Sequence, residues 1–276
     1  MEIIDTHLHV WSGDYDRYPF AEGRKEAEPA PVELLNETMD QAGVGRAVIV
    51  QPIHYGYDNR YVAECVRRFP KRFAAVGLID QKAPQAPDEL ERLVDDGFGG
   101  LRIHLASRVD DPEEWATPDQ DPLWQRAAAL GASFCVYGPA QHLSAVGPII
   151  ARFPEVKVVL DHIGGAPLDA SDESRRLFAQ VLGMAEHGNL FIKFTPQGHK
   201  SQQPFPHADI HDHYRQLWQA FGRERCMWGT NFPGILGSTG YQPSLDLFGD
   251  HLDFLSDQDK EWLFARTARE VWSFRD

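Results

Sequence analysis

Two histidines, His7 and His9, close the apolar run Ile3-Ile4-Asp5-Thr6-His7-Leu8-His9 near the start of the chain. In a strand, alternate side chains share a face, so the pair projects one way, and the same alternation puts Asp5 beside them. Imidazoles gathered at a strand end can hold a metal, polarise a carbonyl or move protons near neutral pH. The structural alternative is one satisfied core histidine and one rim residue.

Other polar residues interrupt apolar runs in the same manner. Arg102 follows Leu101 in a strand-like segment, where a permanent cation is costly unless paired. It reads as a forked clamp on a substrate carboxylate or carbonyl, or as a structural partner of Asp80 or Asp5. His104 lies two residues on and faces the same side. Lys193, within Phe191-Ile192-Lys193-Phe194, reads as an anion clamp, an acid or base or a Schiff-base amine, and alternatively as a snorkelling or ion-paired lysine. His199, His207, His211 and His213 crowd one segment beside Pro204 and Pro206. That segment is expected to be an exposed loop with adventitious metal affinity or else an active-site lid, with His207 and His211 sharing a face if it is helical. The aromatic stretch from Trp11 to Pro31 is long for a connection, and functional lids are a usual reason for such length.

The elements that must position these groups recur regularly. Apolar runs rich in β-formers lie at 3–9, 46–52, 73–80, 99–105, 132–137, 156–162, 190–195 and 225–231. Amphipathic stretches follow them at 32–42, 58–69, 87–96, 121–130, 142–153, 172–187, 211–221 and 243–255. Eight βα units in about 250 residues predict a (β/α)8 TIM barrel occupying 1–276 as one domain. A last segment, 257–272, opens on the cap cluster Ser256-Asp257-Gln258-Asp259 and is expected to pack as an outer helix. Barrel chemistry lies at the C-terminal strand ends. Those ends carry His7 and His9, Gln51 with His54, Asp80, Arg102 with His104, Tyr137, Asp161 with His162, Lys193 with Thr195, and Thr230 with Asn231. A purely structural barrel would be served equally well by apolar residues, so the collective pattern points to function.

Composition narrows the partners. Of 276 residues, 27 are Lys or Arg and 41 are Asp or Glu, a net charge of −14 with no long basic run, which argues against nucleic acid and anionic membrane. Cys65, Cys135 and Cys226 are widely separated and read as buried reduced thiols. With no leader and no long apolar stretch, the expectation is a cytoplasmic protein with a small-molecule substrate, its assembly into a homo-oligomer left open. No phosphate loop, nucleophile elbow or Cys-x-x-Cys pair is present.

The motifs Asp5-Thr6-His7-Leu8-His9-Val10-Trp11, Gly100-Leu101-Arg102, Leu160-Asp161-His162-Ile163-Gly164, Lys193 and Met227-Trp228-Gly229-Thr230-Asn231-Phe232-Pro233 together resemble the amidohydrolase superfamily. More narrowly they are similar to the branch of pyrone-dicarboxylate and sugar-acid lactonases, whose members can work without a tightly held metal. The resemblance implies catalytic roles for His7, His9, His162, Lys193 and Asn231, and strand-end position puts Gln51, His54, Arg102, His104 and Tyr137 around the substrate. It implies either no cofactor or a single divalent metal such as zinc, bound if at all by His7, His9 and His162. Asn231 stands where the family places a catalytic aspartate, and a carboxamide neither takes a proton from water nor binds a cation well. The leading expectation is a hydrolase opening a small lactone or related amide, with His7, His9 and His162 polarising the carbonyl, Arg102 and Lys193 holding oxygens, Asn231 orienting water and a neutral imidazole as base. A lyase acting on a small aromatic or unsaturated acid, and a binding protein that kept the barrel, are the alternatives.

Overall fold

The computed structural model describes residues 1–25, 27–105 and 112–274. Eight parallel strands, β1 (Ile4–Leu8), β2 (Arg46–Val50), β3 (Phe73–Gly77), β4 (Phe98–His104), β5 (Ser133–Tyr137), β6 (Val158–Leu160), β7 (Leu190–Phe194) and β8 (Cys226–Trp228), pair in chain order. Around them run α1 (Val32–Gln41), α2 (Arg60–Arg68), α3 (Ala86–Asp95), α4 (Asp121–Leu130), α5 (Leu143–Arg152), α6 (Asp172–Gly183), α7 (His211–Phe221) and α8 (Tyr241–Asp246). This is the expected TIM barrel, with most strands shorter at their ends than the apolar runs that announced them.

The ring is drawn together between β1 and the segment after β8. Leu8 bridges Phe232 in parallel, His9 N–H donates to Phe232 O at 2.7 Å, and Asn231 N–H donates to His7 O at 2.7 Å. The Thr6 hydroxyl adds a bond to Trp228 O at 2.6 Å. Gly229 is required here, because a Cβ on it would lie 2.8 Å from the Cβ of His7.

The core has two layers. Leu8, Ala47, Ile49, Leu101, Phe134, Leu160 and Ile192 face outward against the helices. Ile4, Val48, Val76, Cys135, Val159 and Met227 fill the barrel. The C-terminal segment departs from expectation. It starts on the predicted cap, a capping box between Ser256 and Asp259, as α9 (Asp257–Glu261), widens into a π-turn over Trp262–Arg266, and ends as α10 (Thr267–Val271). Ala265, Ala268, Val271 and Trp272 join the inner layer, so its second half closes the barrel's floor rather than lying on its outer wall. The three cysteines are buried and unpaired, as expected.

The stretch after β1 is stitched down. Trp11 and Ala30 form an antiparallel bridge, Trp11 Nε1 donates to Glu28 O at 2.6 Å, Tyr15 donates to Ala27 O at 2.5 Å, and Tyr18 bonds Glu64. Phe20 and Trp11 both pack on the ring of His54.

Candidate active site

A buried carboxylate organises the barrel's upper end. Asp161, just after β6, receives His7 Nδ1 at 3.1 Å and Lys193 Nζ at 2.9 Å on one oxygen, and Arg102 Nε at 2.9 Å on the other. These four side chains come from β1, β4, the end of β6 and β7, and are almost wholly buried. Despite burial, the three cationic or hydrogen-bonding partners hold the Asp161 carboxyl well below the usual carboxylate range. Lys193 also donates to Cys135 Sγ at 3.3 Å and stands 5.3 Å over the Trp272 ring. The ammonium is thus bracketed by a carboxylate above and an indole below. Arg102 is half of a stack, its guanidinium carbon 4.5 Å from the centre of the Tyr137 ring.

This answers the question of what Arg102 pairs with. Asp80 is exposed beyond the end of β3, and Asp5 is engaged elsewhere. The expectation that Asp5 shares a face with His7 fails because the β1–β2 register slips between Asp5 and Leu8. Such a bulge turns one residue's parity. His7 therefore faces the barrel interior, while Asp5 accepts from Thr230 N–H at 3.0 Å, Thr230 Oγ1 at 2.6 Å and Tyr241 OH at 2.9 Å. Burial raises the Asp5 carboxyl to about 6 against these bonds.

Three imidazoles meet above Asp161, with ring centres 5.0 Å apart for His7 and His9 and 4.3 Å for His7 and His162. Each engages a partner through Nδ1: Asp161 for His7, Val50 O at 2.8 Å for His9 and Thr195 Oγ1 at 3.2 Å for His162. Burial lowers all three, helped by the positive charge of Arg102 or Lys193, taking His9 and His162 to about 3 and His7 well below its ordinary value. His104 is likewise brought to about 4 by burial and then by Arg102. The four rings are neutral at physiological pH.

Two cavities open over this cluster. One of about 290 Å³ is lined by His9, Trp11, His54, Arg102, His104, Tyr137, His162 and Asn231. A second of about 650 Å³ shares Tyr137, His162 and Asn231 and extends past Gln197, His199 and Lys200. Among the described residues no Asp or Glu lines either one. Of the residues selected from sequence, His9, His54, Arg102, His104, Tyr137, His162 and Asn231 therefore converge. His7 and Lys193 lie beneath the cavities and reach them only through Asp161 and their neighbours. Gln51 is buried and donates to Asp58 O at 2.8 Å, so its amide braces a loop. The histidine-rich segment disperses. His207 has a left-handed backbone and precedes α7, which begins at His211, so the two share no helix face. Of these four histidines, His199 alone reaches the cavity.

Sequence reasoning passed over the central role of Asp161. Two buried cations on barrel strands demand a buried anion, and Asp161 was one of two aspartates in strand-end position, with Asp80; charge balance was the available signal. For a metal, the donors offer His7 Nε2, a buried nitrogen without a partner. Yet among the described residues no group of three or more His, Cys, Asp or Glu side chains closes into a ligand set. Either no metal or one divalent ion is compatible with these donors.

A parallel barrel with a histidine cluster and a buried aspartate at its C-terminal mouth is the arrangement of a TIM-barrel enzyme. The profile of the amidohydrolase family matches residues 4–274, and the chain belongs to that family. It is 27% identical over 240 residues to the L-fucono-1,5-lactonase of Burkholderia ambifaria, spanning 83% of this chain and 80% of that one. It is 28% identical over 240 residues to the D-galactarolactone isomerase of Agrobacterium fabrum, spanning 83% and 76%. The solved structure of an amidohydrolase from Burkholderia multivorans with bound HEPES superposes with a TM-score of 0.84 at 21% identity over 100% of both chains. A second crystal form of that amidohydrolase holds zinc and superposes at 0.78.

Proposed function

We propose that this chain hydrolyses a small cyclic ester bearing a carboxylate or hydroxyls, working as a single barrel domain in the cytoplasm. The observation that carries the reading is the cavity of neutral imidazoles beside Arg102 with, among the described residues, no carboxylate in its lining, at the mouth of a barrel whose curated relatives are named for lactones. Val50 O can only accept, so His9 carries its proton on Nδ1 and presents the Nε2 lone pair to the cavity. That lone pair takes a proton from water as the oxygen adds to the lactone carbonyl carbon. The ring C–O bond then breaks, and the proton passes from His9 to the leaving oxygen. Arg102 and His104 bind anionic or carbonyl oxygen, and Asn231 orients the water. A buried imidazole this acidic is a weak base alone. An arriving carboxylate offsets the positive field of Arg102 and raises its basicity on binding.

Lys193 serves at one remove: with Asp161 it fixes His7, which packs against His9. A divalent ion, if taken up, would polarise the same carbonyl, with His7 and His9 as its nitrogen donors. The test is a panel of aldono- and carboxylated lactones assayed at pH 6 to 9, with and without added zinc, in water labelled with heavy oxygen. Ring opening with label in the new carboxylate is expected. Absence of turnover on every member, or solvent deuterium on a product carbon with loss of carbon dioxide, would sink the reading.

A further inference from the structure

We infer that Thr195 and Gln197 are positioning residues that lock His162 in the tautomer opposite to that of His9, so that the pair divides into one proton donor and one proton acceptor. The inference rests on the hydrolase reading for its purpose, and on hydrogen-bond geometry alone for its content.

Gln197 Nε2 lies 2.8 Å from Thr195 Oγ1 and 3.3 Å from Thr195 O. A backbone carbonyl only accepts, so the amide must turn its NH2 group toward Thr195, and that group donates to the hydroxyl oxygen as well. The backbone between the two residues is held from behind: Tyr214 OH donates to Thr195 O at 2.8 Å and accepts from the Gln197 backbone N–H at 3.1 Å. Thr195, Gln197 and Tyr214 are all buried, so water does not compete for these bonds. With its oxygen already accepting from Gln197, the hydroxyl is left with one hydrogen to place, and His162 Nδ1, at 3.2 Å, is the acceptor it meets. With the hydroxyl donating in this way, His162 Nδ1 is bare and its proton sits on Nε2, the edge turned to the cavities that the ring lines.

The backbone reinforces the arrangement. His162 has a φ of +51°, a left-handed conformation that histidine adopts more readily than most residues with a side chain, and it sets the direction in which the ring leaves the chain. Opposite it, His9 is held as the Nδ1–H form by Val50 O. A lactone carbonyl lying between the two rings would thus receive a hydrogen bond from His162 while water loses its proton to His9. In a site whose described lining holds no carboxylate, this fixed pair of tautomers supplies the polarity that an aspartate otherwise would.

The test is long-range nitrogen–proton NMR of the full chain labelled at histidine, which reads the tautomer of each ring without substrate. Wild-type His162 is expected as Nε2–H and His9 as Nδ1–H. Gln197→Glu puts an acceptor where the donor was; Thr195 then gives its hydrogen to the introduced carboxylate, and His162 should invert to Nδ1–H. Thr195→Val removes the hydroxyl at constant shape, should leave His162 in mixed tautomers and should lower kcat about 10- to 100-fold with KM nearly unchanged. Thr195→Ser should restore both. A wild-type Nδ1–H signal for His162, or a tautomer indifferent to both Gln197→Glu and Thr195→Val in folded protein, overturns the inference. If the tautomers are as stated and no lactone is opened, it is the hydrolase reading that falls and the positioning that stands.

Discussion

Replacing Asp161 by asparagine probes the centre of the barrel with almost no change of shape. Its two oxygens accept three hydrogen bonds, from Lys193 at 2.9 Å, Arg102 at 2.9 Å and His7 at 3.1 Å. Asparagine has one acceptor oxygen, so its NH2 must face either the guanidinium or the ammonium, donor against donor. The charge account changes as well. The native cluster holds one anion and two cations, and the variant holds two buried cations with no anion. Removing one partner of a buried ion pair typically costs about 3–5 kcal/mol, because the surviving charge is left without compensation. Against a total stability of about 5–15 kcal/mol, the variant is expected to have its margin cut by about a fifth or more. In a chain of this size that corresponds to a fall in Tm of about 6–20 °C.

Urea unfolding followed by tryptophan fluorescence reads the effect, since Trp228 and Trp272 are buried. The companion variant Asp161→Asn with Lys193→Met restores the native net charge of the cluster and should recover at least half of the loss. A single variant whose unfolding free energy lies within about 0.5 kcal/mol of wild type, the range of neutral surface changes, would mean that Asp161 does not hold the cluster. Failure of the double variant to recover would place the loss in His7 or in the hydrogen bonds rather than in the charge imbalance.

Stability should fall as pH drops from about 6.5 toward 4, where unfolded histidines gain protons that His7, His9, His162 and His104 refuse in the fold. Asp5, raised to about 6, acts the other way, its contribution being lost as pH rises through that value. Four imidazoles against one carboxyl leave an uptake on unfolding of up to about three protons, and a flat urea midpoint between pH 6.5 and 4.5 would contradict the neutral rings. Asn231→Asp puts a carboxylate on the mouth both cavities share and should raise lactone turnover about 10²- to 10⁴-fold, the scale of general-base catalysis; unchanged turnover with the fold intact would put residue 231 outside the chemistry. Elemental analysis of purified protein should find at most one divalent ion per chain, and two stoichiometric ions would mean that Lys193 and Arg102 leave the cluster to admit them.

The fold was legible because the βα units state their hydrophobic period locally: eight apolar runs predict eight strands, and Ser256 with Asp259 marks the start of α9 as written. What escaped depended on geometry that no local pattern carries. The bulge in β1 changes which way Asp5 points without changing a residue type, and strict alternation misread it. The last helix was expected outside because its apolar residues suit either face. Only the open floor of the barrel, a property of the closed ring, draws Trp272 inward. In the site, His9, Arg102, His104, Tyr137, His162 and Asn231 were found by strand-end position, which the barrel topology converts directly into convergence. Asp161 and Thr195 were found at the same strand ends but given no role, and Gln197 was not found, because their importance lies in whom they bond.

Asn231 is best understood through its backbone and its neighbours together. Its φ of +65° lies in the left-handed region that asparagine tolerates better than most residues, and its N–H is committed to His7 O, so the position fits the turn after β8 on conformational grounds. The side chain is exposed at the junction of the two cavities, close to His162 and within a lining that carries Arg102 and Lys200 and, among the described residues, no carboxylate. In a chain of net charge −14, a mouth so composed concentrates what negative charge it meets in the ligand rather than in the protein. An aspartate there would supply a base but would also repel an anionic ring as it entered. The amide gives up the base and keeps the attraction, which moves proton transfer onto His9 and makes the tautomers of His9 and His162, rather than a carboxylate, the element that decides turnover.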